Sequence, residues 1–286
     1  MQNERAVVIT GVSTGIGAAT ARLAAQRGWH VFGSVRRPEA AAALQTELGA
    51  RFTPLVFDVR DAAAIAAAAA QVAAALGGKR LSGLVNNAGV AVPGPLEVLP
   101  LAEFRDQIEV NVVGPLAVTQ AFLPLLGTDP AGKGKPGRIV NVSSVAGRIG
   151  SPFLGAYAAA KHALEGLSES LRRELLLFGI DVVIVAPGAV ATPIWDKAEE
   201  VPLGDYATGP YGRALTRFRD FALKSGRAGY PPSQVAEAIL LGLEHARPPV
   251  RIAVVPQPLT NWVLPMLLPR RVIDRIIGKR LGLTGP

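Results

Sequence analysis

Three side chains in the stretch 137–161, GRIVNVSSVAGRIGSPFLGAYAAAK, could move a proton between them. Tyr157 and Lys161 stand four residues apart, the spacing that makes two side chains neighbours on one helical face. A free phenol has a pKa of about 10. A tyrosine acting as a base near neutrality must therefore shift by roughly 3 units, about 4 kcal/mol in favour of the phenolate. An ammonium one turn away can supply part of that. Ser144, thirteen residues before Tyr157, can donate a hydrogen bond to a substrate oxygen that the phenol also touches. The same types also occur without chemistry: Tyr-x-x-x-Lys on an exposed helix, Ser-Ser in a turn after a strand.

A strand, a loop and a helix start are needed to hold these groups. Arg138 to Val142 is a β-branched run, Ser143 to Pro152 is rich in Gly and Ser, and from Phe153 the spacing becomes helical. The chain begins with a similar unit. Arg5 to Thr10 is a strand-like run that meets Gly11-Val-Ser13-Thr14-Gly15-Ile16-Gly17 before an Ala-rich helix to Arg27. Glycines let a backbone approach a pyrophosphate, whose charge is met by the helix N-terminus. The spacing is G-x-x-x-G-x-G, and its alternative reading is a tight turn.

The second strand, Trp29 to Val35, ends in Arg36 and Arg37 where a carboxylate would bind adenosine ribose hydroxyls in an NAD site. A guanidinium can hold a 2′-phosphate there, which favours NADP(H) and leaves NAD(H) open. The other reading of Arg36 and Arg37 is solvated loop charge. Alternation then continues: helix Pro38 to Leu48, strand Arg51 to Phe57, helix Asp61 to Leu76, strand Leu81 to Val85. Asp58 and Val59 follow the third strand, where Asp58 could meet an adenine amino group; Asn86-Asn87-Ala88-Gly89 closes the fourth. This pattern predicts an α/β fold, a Rossmann-type doubly wound parallel sheet with helices on both faces and ligands at the carboxyl ends of its strands.

Helix Leu101 to Leu126 carries Asn111 and Gly114-Pro115 in a mostly apolar run. This predicts either a distortion that frees a carbonyl for water or a simple kink. A further strand, Asp181 to Val185, leads into Pro187-Gly188-Ala-Val190-Ala-Thr192. The following stretch, Ile194 to Tyr230, loses periodicity and is dotted with Pro and Gly, as expected of a lid at about 193–230 or of disorder. Its aromatics, Trp195, Tyr206, Tyr211, Phe218 and Phe221, could line an apolar pocket or simply pack. Helix Gln234 to Leu243 and strand Val250 to Val255 complete the pattern.

With 286 residues and 49% hydrophobic residues, the chain can bury one large core, and no linker divides it. Cysteine is absent, and three scattered histidines make a metal site improbable. The N-terminus runs from charged residues into a strand, and no apolar run reaches spanning length, so a soluble cytoplasmic protein is expected. From Arg247 onward seven basic residues face one acid, Asp274, so this tail carries +6 of the formal +8. The near-neutral remainder argues against nucleic acid as a partner. At about 262–286 a basic amphipathic helix is expected, either lying on an anionic membrane or docking over the substrate cleft or a partner subunit.

Together, Thr10-Gly11-x-x-x-Gly15-Ile16-Gly17, Asn86-Asn87-Ala88-Gly89, Asn111, Ser144, Tyr157-x-x-x-Lys161 and Pro187-Gly188 resemble the single-domain short-chain dehydrogenase/reductase family. The match runs in order from about residue 5 to 255, and Lys161 to Glu174 is similar to the hydroxysteroid and retinol dehydrogenase branch. The resemblance implies NAD(P)-dependent interconversion of an apolar alcohol and its ketone or aldehyde. It makes Tyr157 the acid/base, with Lys161 depressing its pKa and holding the nicotinamide ribose. Ser144 would orient the carbonyl oxygen, and Asn111 would support a water chain to Lys161. Coenzyme contacts would come from Gly11, Ser13, Thr14, Gly15, Ile16 and Gly17 of the glycine loop, and from Asp58, Val59, Asn86, Ala88 and Gly89 after β-strands. Pro187, Gly188, Val190 and Thr192 would complete them, Thr192 bonding the carboxamide. Position 160 is Ala where the family often has Ser, and the glycine loop lacks a basic residue at Ser13 or Thr14. Relatives pair through helices such as 101–126 and 153–178, which implies a homodimer or homotetramer.

Overall fold

The computed structural model describes residues 5–193, 195–196, 199 and 204–284. Ile194, Pro202 and the last two residues of the tail, all within segments singled out above, lie outside them. Seven strands are present: β1 (Ala6–Ile9), β2 (His30–Val35), β3 (Phe52–Val56), β4 (Gly83–Asn86), β5 (Arg138–Val142), β6 (Asp181–Pro187) and β7 (Arg251–Val254). They form one sheet in the order β3-β2-β1-β4-β5-β6-β7, every neighbouring pair parallel. The order reverses between β1 and β4. A crevice opens there because the chain leaves those two strands toward opposite faces.

The strand residues divide between two cores by alternation. Val7 and Ile9 join Val31, Val85, Val140 and Val183 on one face, under α1 (Gly15–Gln26), α2 (Ala42–Leu48) and Pro232–Glu244. Ala6 and Val8 join Phe32, Leu84, Ile139 and Val182 on the other, under α3 (Ala62–Leu76), α4 (Leu101–Ile108), α5 (Gly114–Leu123) and α6 (Gly155–Glu174). The central strands β1, β4, β5 and β6 are buried on both faces and read as mostly apolar runs, while the edge strands β3 and β7 are partly exposed.

Leu101 to Thr128 is one continuous helical run, and Asn111 lies in a π-helical turn, Glu109–Val113, between α4 and α5. Pro115 has no N–H to give the carbonyl of residue 111, four positions back, and a wider turn absorbs the mismatch without breaking the helix. The run has 28 residues, and its most apolar 18-residue window has a mean hydropathy of 1.5, although Glu103, Arg105, Asp106 and Glu109 interrupt its first turns. Val118, Phe122 and Leu126 sit in the core beneath the sheet, so its apolar side faces protein.

Part of the insertion is helical. Gly212–Arg227 is a 16-residue helix, α7, followed by α8, Pro232–Glu244. Ala214, Leu215, Phe218 and Ala222 recur at helical spacing, with Arg213, Arg217, Arg219, Asp220 and Lys224 between them. The partner that makes it a helix is α9, Arg270–Leu281: Ala214, Leu215, Phe218, Ile277 and Leu281 form a third small core with Phe153. Part of the basic C-terminal helix therefore docks on this same subunit.

Candidate active site

The loop after β1 is held by groups from β2 and β4. The Ser34 hydroxyl accepts from the Gly11 N–H at 3.1 Å, and the Thr10 hydroxyl accepts from the Asn87 and Ala88 N–H groups at 2.9 and 3.0 Å. Asn87 donates its amide to the carbonyls of Thr10 and Gly11. The glycines are required by this closeness. A Cβ on Gly17 would fall 2.2 Å from the Gly11 carbonyl, and Gly11, at φ +72°, lies against Ala88. Gly15, at φ +59°, leaves room for Thr192, whose methyl would be 3.3 Å from a Cβ there. Thr14 makes no side-chain cap to α1, and Ser13 and Thr14 are exposed, so the first-turn N–H groups are open to an anion. Partly buried Ile16 packs against the α1 side of the core.

The proton-handling groups meet on the far side of Gly89. A Cβ on Gly89 would stand 2.7 Å from the Asn111 carbonyl oxygen and 3.7 Å from Lys161 Nζ. Asn111 is fully buried; its amide donates to Val90 O and Gln107 O, both at 2.9 Å, and its oxygen accepts from Val90 N–H at 3.1 Å. Lys161, also buried, donates to Val142 O at 2.9 Å. Tyr157 lies one turn earlier on α6, and the Ser144 hydroxyl hydrogen-bonds its phenol. Ser144 is itself aligned by the Ala146 N–H and by the Pro187 carbonyl at the end of β6. Ser143 turns elsewhere, donating to Glu165 at 3.0 Å.

Burial changes the electrostatics anticipated from sequence. Desolvation pushes the Tyr157 phenol above its ordinary value, opposed in part by the Ser144 hydrogen bond. Desolvation also lowers Lys161 to about 8, with Glu165 pulling the other way.

Several expected coenzyme residues are arranged differently. The Asn86 amide is buried and donates to Thr119 and Asn141, tying β4 to α5 and β5, so it supports the crevice from behind. Asp58 is already engaged: its carboxylate accepts from the Arg60 guanidinium and N–H, and these bonds hold it below the ordinary carboxylate range. Val59 is buried against Gly114. Arg36 and Arg37 are exposed at the end of β2, with Arg36 near enough to act on Asp58. Gly188 donates to Val254 O, and Val190 is buried with its carbonyl accepting from the Trp195 indole.

Sequence reasoning missed Ser34, Gln107 and the Glu165 cluster, and gave the Asn87 side chain no role. Buried Glu165, one turn beyond Lys161, accepts from Arg148 of the Ser144 loop and Arg251 of β7. Gln107 clamps the N–H and carbonyl of Val92. Asn141 pairs with Asn86 in the strand register. Phe153, with φ +65° and packed on Tyr211 and Phe218, turns the chain into α6. Beside it lies a cavity of about 220 Å³ lined by Leu96, Pro152, Phe153, Tyr211 and Leu283.

Residues 5–202 match the family model for short chain dehydrogenases. This chain belongs to the short-chain dehydrogenase/reductase family. It is accordingly an oxidoreductase that uses a nicotinamide coenzyme, and the open α1 terminus beside glycines too crowded for side chains fits a dinucleotide. The chain is 37% identical to the NADPH-dependent 3-dehydrocapnine reductase of Ornithobacterium rhinotracheale, over 97% of both chains. It is also 37% identical to retinol dehydrogenase 16 of Mus musculus, over 68% of this chain and 60% of that one. A short chain dehydrogenase/reductase from Burkholderia phymatum, solved in complex with NAD, superposes with a TM-score of 0.78 at 26% identity, over 96% of this chain and 95% of the other.

Proposed function

We propose that this enzyme is an NADP-preferring carbonyl reductase that converts an apolar ketone or aldehyde to its alcohol. The observation that carries the reading is the convergence of the Ser144 hydroxyl, the Tyr157 phenol and the buried Lys161 ammonium at the carboxyl end of β5. A protonated phenol is the acid that reduction needs. Tyr157 gives its O–H proton to the carbonyl oxygen as that oxygen gains charge, and Ser144 holds the oxygen by a second hydrogen bond. The bound nicotinamide supplies the hydride to the carbonyl carbon. Lys161 places a positive charge beside the phenolate left behind, and Asn111, sharing the Gly89 contact, supports proton return toward Lys161.

The NADP preference is supported by Arg36 and Arg37 at the end of β2 and by the NADPH-dependent relative. Arg36 and the glycine-loop amides would hold the phosphates, while Tyr157 and Lys161 would hold the ribose nearest the reaction. The apolar substrate class is supported by the Leu96, Phe153 and Tyr211 cavity next to the first turn of α6, with the 193–230 segment acting as its lid. We read the protein as cytoplasmic and homo-oligomeric. A panel of apolar ketones, aldehydes and alcohols, followed at the nicotinamide absorbance with NADPH and NADH, tests the reading. Preferred turnover of apolar carbonyls with NADPH is expected; coenzyme binding without turnover of any of them would defeat it.

A further inference from the structure

We propose that Leu259 to Leu267, together with the outer face of α9, is a docking surface for an anionic lipid bilayer. The first observation is an apolar surface that the fold leaves uncovered. Leu259 is 73% exposed, Leu264 50%, Leu267 76% and Ile276 55%, although Leu259 to Leu267 is helical and close to the protein body. The α9 helix divides its apolar residues between two jobs. Ile277 and Leu281 pack into the core shared with α7, while Val272 and Ile276 face outward among Arg271, Arg275 and Lys279.

The second observation is charge. Arg270, Arg271, Arg275 and Lys279 form no ion pair among the described residues, and Asp274 is the one acid on α9. Apolar side chains that enter the acyl boundary beside cations that meet headgroups are the two signals of an interfacial helix. A second copy of the chain is a poorer occupant. A two-fold interface would bring the same patch against itself and set these unpaired cations face to face. The segment is also fixed at its root: Arg251 stacks on Trp262 at 4.2 Å while its guanidinium is bound by Glu165, and Arg280 covers Phe221 at 4.1 Å. The apolar residues are therefore presented on a braced element. The proposal is independent of the catalytic reading.

The test is co-sedimentation of the full-length protein with phosphatidylcholine vesicles, with and without phosphatidylglycerol. Pelleting that depends on phosphatidylglycerol and falls with added salt is expected. The Arg270→Ala/Arg271→Ala/Arg275→Ala variant should partition on the order of 100-fold more weakly, about fivefold for each cation removed. Leu264→Asp/Leu267→Asp should lose binding to the same vesicles, with far-UV circular dichroism and NADPH binding unchanged in both variants. If the leucine variant misfolds, the exposed arginine variant carries the test alone. The proposal is overturned if vesicles do not increase pelleting, if the arginine variant partitions like the parent, or if sedimentation velocity without lipid shows Leu264→Asp/Leu267→Asp splitting a dimer.

Discussion

Lys161 Nζ lies 5.7 Å from the centre of the Tyr157 ring while donating to the Val142 carbonyl at 2.9 Å. The ammonium is thus anchored to β5 beside the phenol without neutralising it, and each group feels burial more than it feels the other. Replacing Tyr157 with Phe removes the acid and keeps the ring. Turnover should fall by about 10²–10⁴-fold, with NADPH affinity, read by fluorescence titration, changed little. Near-parental kcat in that variant would discard the proton route.

The lowered Lys161 value sets a pH limit. Its charge is present below about 8 and is lost above it, so kcat for carbonyl reduction should decline as pH rises through that point. Lys161→Arg, if it binds coenzyme, should show no such limb. Stability moves in the opposite direction. The unfolded lysine keeps its proton to about 10.4, so above about 8 the unfolded state binds more protons than the native one and stability rises with pH across that window. Urea midpoints measured on both sides of it check the sign.

Arg36 stands exposed at the end of β2, within electrostatic reach of Asp58. If it grips a 2′-phosphate, Arg36→Ala should weaken NADPH binding by about 10- to 100-fold, the worth of roughly 1.5–3 kcal/mol for a charge-assisted bond. NADH binding should barely change. Equal losses for both coenzymes would count against the contact.

Glu165 joins α6, the Ser144 loop and β7 through Arg148, Arg251 and Ser143. Burial would raise its pKa, but the hydrogen bonds from Arg251 and Arg148 win and hold it below the usual carboxylate range. Its stabilisation is therefore present above the unfolded value of about 4.3 and is lost as pH falls through the lower folded one. Glu165→Gln leaves the largely buried Arg251 without its anion, while Arg148 keeps Glu169, and should cost about 3 kcal/mol, read as a lower denaturation midpoint near neutrality. An unchanged midpoint would show that the cluster contributes nothing.

Much of the fold was legible because the doubly covered sheet writes itself into the sequence. Strands buried on both faces are β-branched runs such as Ala6–Ile9 and Arg138–Val142, and the glycines that follow them sit where no Cβ fits. The packing of α7 was not legible. Its apolar residues recur at helical spacing, but Ile277 and Leu281, which cover them, lie more than fifty residues further on.

By itself the sequence determined which residue types stand at which spacing: a phenol and an ammonium one helical turn apart, a serine thirteen residues earlier, and glycines between a strand and a helix. Local order is enough for that, because strand and helix periods are set by neighbours in the chain. Only the tertiary structure decided that Ser143 turns to Glu165, that Asn86 and Asp58 are held by Asn141 and Arg60, and that burial raises the phenol above its ordinary value. Those outcomes depend on which groups from distant strands exclude water around a side chain, and desolvation is a property of the packed molecule.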